Sequence, residues 1–474
     1  MELITKFNEL VGGIVWGPFG IALLFVAGLW MTVYSQGFQF VYFSHWLSCT
    51  IGAIFKDRNV TAHTEKSDMA ISQFQSLCTA LAATIGTGNI VGVSTAIIAG
   101  GPGAIFWMWI MALLGMMTNF SENVLGIYYR IRNERGEWSG GAMYYLANGL
   151  KSPLLAALFA IFCGIASFGI GNIAQVNSIA GNLQIAFGVP AQITGIVLVI
   201  LSGLVILGGL KRVASVTEKL VPFMALIYML GAMICVIMHI SLVPAAFVAI
   251  IKGAFGLKAV GGGVLGYGLK MALTWGFKRG AFSNEAGLGS SVMVHSSSNV
   301  KEPVVQGMWG IFEVFADTIV VCTLTALVVL TSGYVDLSTG LMTKEMAANA
   351  LVGQAFGTVF GSWGPRFIAL AILMFAFSTV LGWSHYGAKS MEFLFGVKIT
   401  LPYKILFVLM SYFSATMSLQ LAWDLSDTFN GLMMIPNLIG VLLLSPKVVK
   451  ITRNYVDRII RGQDVKAMLS AYED

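Results

Sequence analysis

Charged side chains are scarce in this chain of 474 residues, since Asp, Glu, Lys and Arg make up only 11% of it. A soluble domain typically carries about 25%, because its surface must be wetted. Cysteine is also rare, and the five residues show no CxxC or CxxH spacing, which excludes a disulfide scaffold and a zinc site built on such pairs. These scarcities exclude a soluble enzyme, a nucleic-acid-binding protein and a disordered chain.

Motifs of membrane-embedded or nucleotide-dependent enzymes are missing as well. The sequence contains no HExxH, no GxGD-like aspartyl pair and no P-loop, and each of these carries a specific chemistry where it occurs. The one His–Ser cluster, at 295–298, is typical of a hydroxylated turn. We therefore expect no enzymatic activity.

Apolar residues are abundant: 57% of the chain is hydrophobic, and the mean hydropathy is +0.81. They occur in blocks long enough for a helix to cross a hydrocarbon layer about 30 Å thick. We predict an all-α polytopic membrane protein with about eleven spans. The blocks cover residues 14–34, 70–99, 104–129, 154–187, 191–209, 220–240, 262–293, 304–331, 365–389, 400–420 and 427–449. Two amphipathic stretches, 244–257 and 345–358, are predicted to be interfacial or re-entrant.

The positions of Lys and Arg predict how the chain is oriented. Successive loops lie on alternate sides of the membrane. When the 28 basic residues are sorted by loop, 22 of them, including those of the tail, fall on one side. Because basic residues concentrate in cytoplasmic loops, we predict an outside N-terminus and a cytoplasmic C-terminus in the inner or plasma membrane. The first block lacks a cleavage site and is predicted to be retained as a span.

Two blocks are interrupted by glycine and polar residues. The first interruption, at 84–89, reads TIGTGN; the second, at 274–280, reads TWGFKRG and is followed by SNEAG at 283–287. Unwound backbone at membrane depth persists only inside protein or beside a polar cavity. We therefore predict helix breaks at Gly86 to Gly88 and around Gly276.

The two interrupted blocks occupy corresponding positions if the first block is set aside. Each begins a unit of five spans, and an odd number of crossings makes the second unit enter from the opposite side. This predicts a 5+5 inverted repeat with one extra N-terminal helix. The expected divisions are 1–69 for the extra span and its loop, 70–240 and 262–449 for the two repeats, and 450–474 for a cytoplasmic tail helix.

Several motifs resemble those of the alanine or glycine:cation symporter family, which is similar in architecture to the leucine-transporter fold. They are FQSLCT at 74–79, GTGN at 86–89, AGGPGA at 99–104, FWMW at 106–109, FSNEAG at 282–287 and FAFST at 375–379. The resemblance covers nearly the whole chain and implies import of a small neutral amino acid, alanine or glycine, driven by sodium. It also implies alternating access.

The resemblance implies that the backbone at Gly86, Thr87 and Gly88 binds the substrate carboxylate. This agrees with the chemistry, because the half-helix beginning near Thr87 would point free N–H groups and its positive dipole end at an anion. Unwound carbonyls near Thr84 can accept hydrogen bonds from the ammonium group. Further pocket candidates, listed by position, are Gln175, Trp275, Gly276, Phe277 and Trp383. For Gln175, as for Asn172 and Asn177, interhelical hydrogen bonding is the competing use, and for the aromatics it is plain packing.

The resemblance also implies where the sodium ion binds. Aligning GTGN with the glycine-rich break of the fold assigns the carbonyls of Ala82 and Ile85 as ligands, together with the carbonyl of Phe375 and the hydroxyls of Ser378 and Thr379. Neutral oxygens suit a hard cation in a dry site. Hydroxyls in a helix more commonly bond to the carbonyls of the preceding turn, and this is the alternative.

Acidic residues in the apolar blocks leave other interpretations open. Glu313 and Asp317 are four residues apart on one helix face and repel unless partnered or protonated, which keeps a proton-coupled carrier as an alternative. Glu285 lies with Asn284, Lys278 and Arg279, which we place in the cytoplasmic half of their span as a salt-bridged gate or helix cap. An ion channel is less favoured, since a filter is usually built at an oligomer axis from repeated carbonyl rings.

Overall fold

The computed structural model describes residues 2–65, 69–256, 262–417 and 419–471 of the chain. Within these ranges the fold is almost entirely helical. The α-helices, in chain order, are α1 Glu2–Val15, α2 Pro18–Tyr34, α3 Phe38–Val41, α4 Phe43–Cys49, α5 Ile51–Lys56, α6 Arg58–Thr61, α7 Gln73–Thr84, α8 Val91–Gly100, α9 Gly103–Tyr129, α10 Ala142–Tyr144, α11 Pro153–Phe168, α12 Ala174–Phe187, α13 Ala191–Ile206, α14 Gly209–Met238, α15 Val243–Ala254, α16 Gly262–Asn284, α17 Val292–His295, α18 Pro303–Val314, α19 Thr323–Thr331, α20 Ala348–Phe360, α21 Trp363–Phe395, α22 Thr400–Thr416, α23 Leu419–Leu443 and α24 Ser445–Tyr455.

Short segments of other geometry join these helices. Two strands, β1 Ile131–Arg132 and β2 Trp138–Ser139, form an antiparallel hairpin in which Ile131 pairs with Ser139. The 3₁₀ turns are Thr87–Asn89, Ile240–Leu242 and Val397–Ile399, and the π-helical turns are Tyr145–Gly149, Gly169–Ile173, Phe315–Cys322 and Val456–Ile460.

Several described helices are long and apolar enough to cross a membrane, which confirms the all-α polytopic class. They are Gly103–Tyr129, Pro153–Phe187, Gly209–Met238, Pro303–Thr331, Trp363–Phe395 and Val397–Thr416. A seventh candidate is the pair Ser426–Leu443 and Ser445–Ile460, which bends by 58°. Other predicted spans are shorter apolar helices, such as Pro18–Tyr34 and Ala191–Ile206. The count of about eleven spans therefore stays a prediction.

The two predicted amphipathic stretches form helices α15 and α20. The predicted tail helix is only partly correct. The helix α24 and the π-helical turn after it end at Ile460, and from Gln463 to Ser470 the backbone is not helical.

The first predicted break is confirmed. Helix α7 begins with a capping box between Ser72 and Gln75 and ends at Thr84. At Gly86 the backbone is extended, with φ −132° and ψ −147°, before the 3₁₀ turn and α8. The Asn89 side chain accepts a hydrogen bond from the Gly86 N–H at 2.9 Å. A side chain therefore supplies an acceptor that the interrupted helix no longer provides.

The predicted break around Gly276 is wrong, because α16 runs without interruption to Asn284. A Cβ atom at Gly276 would lie 2.5 Å from Trp107 Cβ and 2.6 Å from the Ala104 carbonyl oxygen. This glycine therefore lets α16 pack closely on α9. The helix is actually interrupted at 285–291, where Gly287 and Gly289 have φ of +90° and +71°. Backbone of that kind favours glycine.

The first break packs against the end of α16, just before the second break. A Cβ atom at Gly88 would lie 3.1 Å from Ser283 Cα and 3.2 Å from the Phe282 ring. Helix α21 packs as closely on α7, since a Cβ atom at Gly382 would lie 2.8 Å from Ala83 Cβ. The residues of both breaks are buried, as irregular backbone at membrane depth requires.

Candidate functional site

The first break presents backbone N–H groups to side chains from another span. Gln175, at the start of α12, is 1% exposed, and its Oε1 accepts a hydrogen bond from the Thr87 N–H at 3.1 Å. Its Nε2 donates to the Ile170 carbonyl at 2.9 Å. That carbonyl belongs to the π-helical turn Gly169–Ile173. In such a turn, backbone hydrogen bonds join residues five positions apart instead of four. The structure thus brings Gln175, Gly86 and Thr87 together.

Thr87 also carries an unsatisfied polar atom. Its side chain is fully buried, and its hydroxyl has no hydrogen-bond partner among the described residues. A buried hydroxyl without a partner costs about 1–3 kcal/mol, so such groups concentrate where a ligand or water completes the bonding. Thr84, by contrast, turns its hydroxyl toward the Ala80 carbonyl at 3.3 Å.

Oxygen atoms from α7 and α21 converge beside this break. Ser378 Oγ donates to the Phe375 carbonyl at 2.8 Å and lies 3.2 Å from the Ala82 carbonyl. Thr379 Oγ1 donates to the Phe375 carbonyl at 3.0 Å. Ile85 is buried at the end of α7. Both hydroxyls therefore bond to a carbonyl of the preceding helical turn, which is the alternative to sodium binding. Ser378 also contacts α7.

Gly86 lies between Gln175, which bonds to the first break, and the hydroxyl cluster of α21. A Cβ atom placed on it would fall inside contact distance of Thr379 Oγ1 and 3.1 Å from Gln175 Oε1. The predicted anion-binding backbone and the predicted cation ligands are therefore direct neighbours. Only hydrogen at this position leaves both side chains where they are.

Trp383 connects α21 to the second break. Its Nε1 donates to Glu285 Oε1 at 2.7 Å, and the other Glu285 oxygen accepts from the Ser290 hydroxyl at 2.5 Å. Glu285 has φ of +57° and is 1% exposed. A bulky residue in this conformation is held by its surroundings against strain. The hydrogen bonds from the Trp383 indole and the Ser290 hydroxyl hold Glu285 in this conformation.

Three predicted residues on α16 lie away from the first break. Gly276 packs on α9, Phe277 lies 6.2 Å from the Phe25 ring and 6.3 Å from the Trp107 ring, and the Trp275 ring lies 5.1 Å from Lys278 Nζ. The structure does not bring Trp275, Gly276 and Phe277 together with the Gln175 cluster.

Two cations of α16 form ion pairs that differ from the predicted salt bridge. Arg279 makes two hydrogen bonds of 3.1 Å to the Asp427 carboxylate, and Lys278 Nζ lies 2.7 Å from the same group. Of the two predicted roles, a salt bridge between these cations and Glu285 does not form, because Glu285 bonds to Trp383 and Ser290 instead; the helix cap stays a prediction.

Arg279 also lies close to α8, the helix that follows the first break. A Cβ atom at Gly92, in α8, would lie 3.8 Å from Arg279 Cδ. The cations therefore lie on the α8 side of the second break, inside helix α16.

A buried carboxylate that the sequence did not assign links the breaks. Asp317, in a π-helical turn, accepts hydrogen bonds from Asn89 Nδ2 at 2.6 Å, Ser283 Oγ at 2.7 Å and Thr318 Oγ1 at 2.8 Å. The sequence signals for this contact were Asn89, which ends GTGN, and an Asp within an apolar block. Glu313 turns elsewhere, toward His295 Nε2 at 2.9 Å. The two acids are therefore partnered separately.

Asn172 and Asn177 make the interhelical hydrogen bonds of the alternative interpretation. Asn172 Nδ2 donates to the Phe407 carbonyl at 2.8 Å, and Asn177 Nδ2 donates to the Ser414 carbonyl at 3.3 Å. Of these three amides, Gln175 is the one that bonds to the break.

Known proteins resemble the chain over its full length. The model of the sodium:alanine symporter family matches residues 1–468. The chain is 42% identical over 470 residues to the sodium/alanine symporter AgcS of Methanococcus maripaludis, covering 98% of this chain and 100% of that protein. It is 35% identical over 463 residues to the amino-acid carrier protein AlsT of Bacillus subtilis, covering 97% and 94%.

A solved structure shares the fold. The crystal structure of MhsT in complex with L-phenylalanine matches with a TM-score of 0.50 and 13% identity, covering 81% of this chain and 99% of that one. This structure belongs to the leucine-transporter fold, in agreement with the predicted architecture.

Proposed function

Because the chain belongs to the sodium:alanine symporter family, we propose that it imports alanine or glycine together with sodium by alternating access. The family and its relatives are transporters, so the chain is a secondary amino-acid transporter and not an enzyme. We further propose the plasma membrane as its location, with the N-terminus outside and the C-terminus in the cytoplasm.

The first break supports binding of the substrate carboxylate. The N–H groups of Gly86 and Thr87 already donate to side-chain oxygens, those of Asn89 and Gln175. A carboxylate is a stronger acceptor than an amide oxygen because it is charged. In the proposed complex it replaces Gln175 Oε1 at the Thr87 N–H and accepts from the Thr87 hydroxyl. A Cβ atom at Gly88 would lie 3.1 Å from Ser283 Cα, so even alanine there would have to push its neighbours aside.

The ammonium group of the substrate is proposed to donate to carbonyl oxygens at the end of α7, near Thr84. A helix that stops at this point leaves carbonyls without intrahelical partners. Trp383, held by Glu285, is proposed to limit the space for the substrate side chain. We leave Trp275, Gly276 and Phe277 out of the proposed pocket, because Gly276 and Phe277 pack against α9 and α2 and Trp275 lies beside Gly100 of α8.

The sodium ion is proposed to bind between α7 and α21. Its ligands would be the carbonyls of Ala82, Ile85 and Phe375 and the hydroxyls of Ser378 and Thr379. The Ser378 contacts with two of those carbonyls, at 2.8 and 3.2 Å, support this set. Binding would exchange hydrogen bonds for coordination, and neutral oxygens are ligands that a hard cation accepts.

One observation carries the proposal: the anion-binding backbone of Gly86 and Thr87 meets the oxygen cluster of α21 at a single helix break. This proximity lets substrate and ion stabilise the same state, since each shifts a conformational equilibrium by its differential affinity.

The test is uptake of radiolabelled alanine and glycine into proteoliposomes with sodium, potassium or a pH gradient. We expect saturable uptake that requires sodium. Equal uptake in potassium would contradict sodium coupling. Uptake driven by a pH gradient alone would support the proton-coupled alternative, which the buried carboxylate of Asp317 keeps open. Unitary conductance would support the channel.

A variant pair tests the proposed ligands. Replacing both hydroxyls, Ser378→Ala with Thr379→Ala, is expected to raise the half-saturating sodium concentration by about tenfold or more, equal to about 1.4 kcal/mol. The matched control is Ser384→Ala, because Ser384 is buried on the same helix and, within the described part of the chain, bonds to the Leu381 carbonyl of its own helix at 2.7 Å. Unchanged sodium affinity in the double variant would remove both residues from the ligand set.

A further inference from the structure

A cavity of about 410 Å³ opens at one end of the bundle, away from the helix breaks. The turn between α13 and α14, the β1–β2 hairpin and the facing ends of α21 and α22 enclose it. Among the residues that the structure describes, its lining includes four cations and two acids, namely Arg135, Lys211, Lys389 and Lys404 with Glu137 and Glu392. The lining therefore carries an excess of positive charge.

Both acids are engaged by one lysine. Lys389 Nζ lies 3.0 Å from Glu392 Oε2 and 3.5 Å from Glu137 Oε2. Among the described residues, Arg135 and Lys404 form no salt bridge with these two carboxylates, and Lys211 donates to the Glu65 backbone carbonyl at 3.1 Å.

A buried polar atom also points to a ligand in this cavity. His385 lines it and is only 5% exposed, and its Nε2 has no hydrogen-bond partner among the described residues. A buried imidazole nitrogen without a partner is costly, so an occupant that completes its bonding is favoured.

An apolar groove of about 550 Å³ continues from this cavity along the outside of the bundle. The two spaces share Leu207 and Gly208 as walls. The groove lies between α13 and α22, and Leu204 and Leu409 on its sides are 58% and 50% exposed. Such exposure of leucine on a membrane protein means contact with lipid chains.

Two glycines of α13 face α22. At Gly195 a Cβ atom would lie 3.1 Å from Ala415 Cβ, and at Gly203, which lines the groove, a Cβ atom would meet Val408 at an ordinary 3.5 Å. Arg212 stands at the junction, where it lines the groove and its stem packs on Gly208.

We propose that the cavity and groove together bind an anionic phospholipid, with an acyl chain in the groove and the phosphate at Arg212, Lys404 and Lys211. Only an amphiphile matches a cationic cavity that continues into a lipid-exposed apolar groove. Basic pockets between transmembrane helices bind anionic head groups by this combination, and guanidinium–phosphate pairing supplies the directional part.

The experiment measures thermal stability and bound lipid, by native mass spectrometry, for the full chain in detergent. Phosphatidylglycerol is compared with phosphatidylcholine of the same acyl chains, and inorganic phosphate and glycerol phosphate are tested separately. We expect at least a fivefold preference for phosphatidylglycerol and no equivalent stabilisation by either soluble phosphate. Equal binding of the two lipids would overturn the proposal, as would full stabilisation by free phosphate, which would assign a soluble-anion site instead.

Two kinds of variant separate the head group from the chain. Arg212→Gln with Lys404→Gln should abolish the preference for phosphatidylglycerol, whereas Gly203→Leu should fill the groove and weaken both lipids with the charges intact. Lys219→Gln is the matched control, because Lys219 is exposed on α14 and lines neither space. Retention of the preference in the double variant, or its loss in the control, would contradict the assignment. The lipid readout does not depend on transport, so it stands or falls separately from the proposed function.

Discussion

Gly86→Ala is expected to disrupt the candidate site through one contact. The added Cβ atom would overlap Thr379 Oγ1 and lie 3.1 Å from Gln175 Oε1. The backbone at Gly86 has a negative φ, so alanine avoids the penalty of the left-handed region there, and crowding is the main expected effect. Both crowded atoms belong to proposed binding groups.

Overpacking a buried site costs about 1–3 kcal/mol, which corresponds to a loss of about 5- to 150-fold in a binding constant. We expect lower thermal stability and a raised half-saturating concentration for both sodium and alanine, measured by uptake and by a thermal shift with each ligand. Gly268→Ala is the control, because a Cβ atom there meets nothing within 4 Å. Alanine in that helix is expected to be neutral or slightly stabilising.

A double-mutant cycle with Thr379→Ala separates crowding from ligation. Removing the threonine branch makes room for the new Cβ atom, so the double variant should regain most of the stability lost by Gly86→Ala. It should not regain sodium affinity, since a proposed ligand is gone. Residues in contact show coupling energies of about 0.5–3 kcal/mol. Strictly additive stability losses would refute the steric reasoning, and recovered sodium affinity would refute the role of the Thr379 hydroxyl.

Three further outcomes are expected. Gln175→Glu would set a second carboxylate beside that of the substrate, a repulsion of about 4 kcal/mol at 4 Å and an effective dielectric of 20, so alanine uptake should fall at least 100-fold; unchanged half-saturation would place the substrate elsewhere. Trp383→Phe removes the 2.7 Å bond to Glu285 and should cost about 1–3 kcal/mol in thermal stability, whereas an unaltered melting curve would deny the indole that holding role. Asp427→Asn leaves Arg279, 3% exposed, without its charge partner and should cost about 3–5 kcal/mol, with a small loss in denaturation assays contradicting a buried ion pair.

The sequence predicted the first break correctly because its signal was local. Glycine and hydrogen-bonding side chains lie next to each other in GTGN, and the Asn89 side chain bonds to Gly86 only three residues away. The class of fold was equally accessible, since block length and charge scarcity depend on the membrane and not on details of packing.

The second break was misplaced because glycine has two uses in membrane helices. Gly276 serves close packing on α9, whereas Gly287 and Gly289 adopt positive φ. A sequence pattern does not distinguish them without knowing which helix lies opposite. The hydrogen bond between Trp383 and Glu285 could not be predicted from the sequence for the same reason, since the two residues are 98 positions apart.

The π-helical turn at Gly169–Ile173 gives its span an adjustable joint. Such a turn holds one residue more than an α-helical turn, and each residue of an α-helix advances the rotation by about 100°. If the wide turn moves along the chain, the residues that it passes rotate about the helix axis, with hydrogen bonds exchanged and not lost. Gln175 lies immediately beyond this joint, so the position of the turn sets whether its amide faces Thr87.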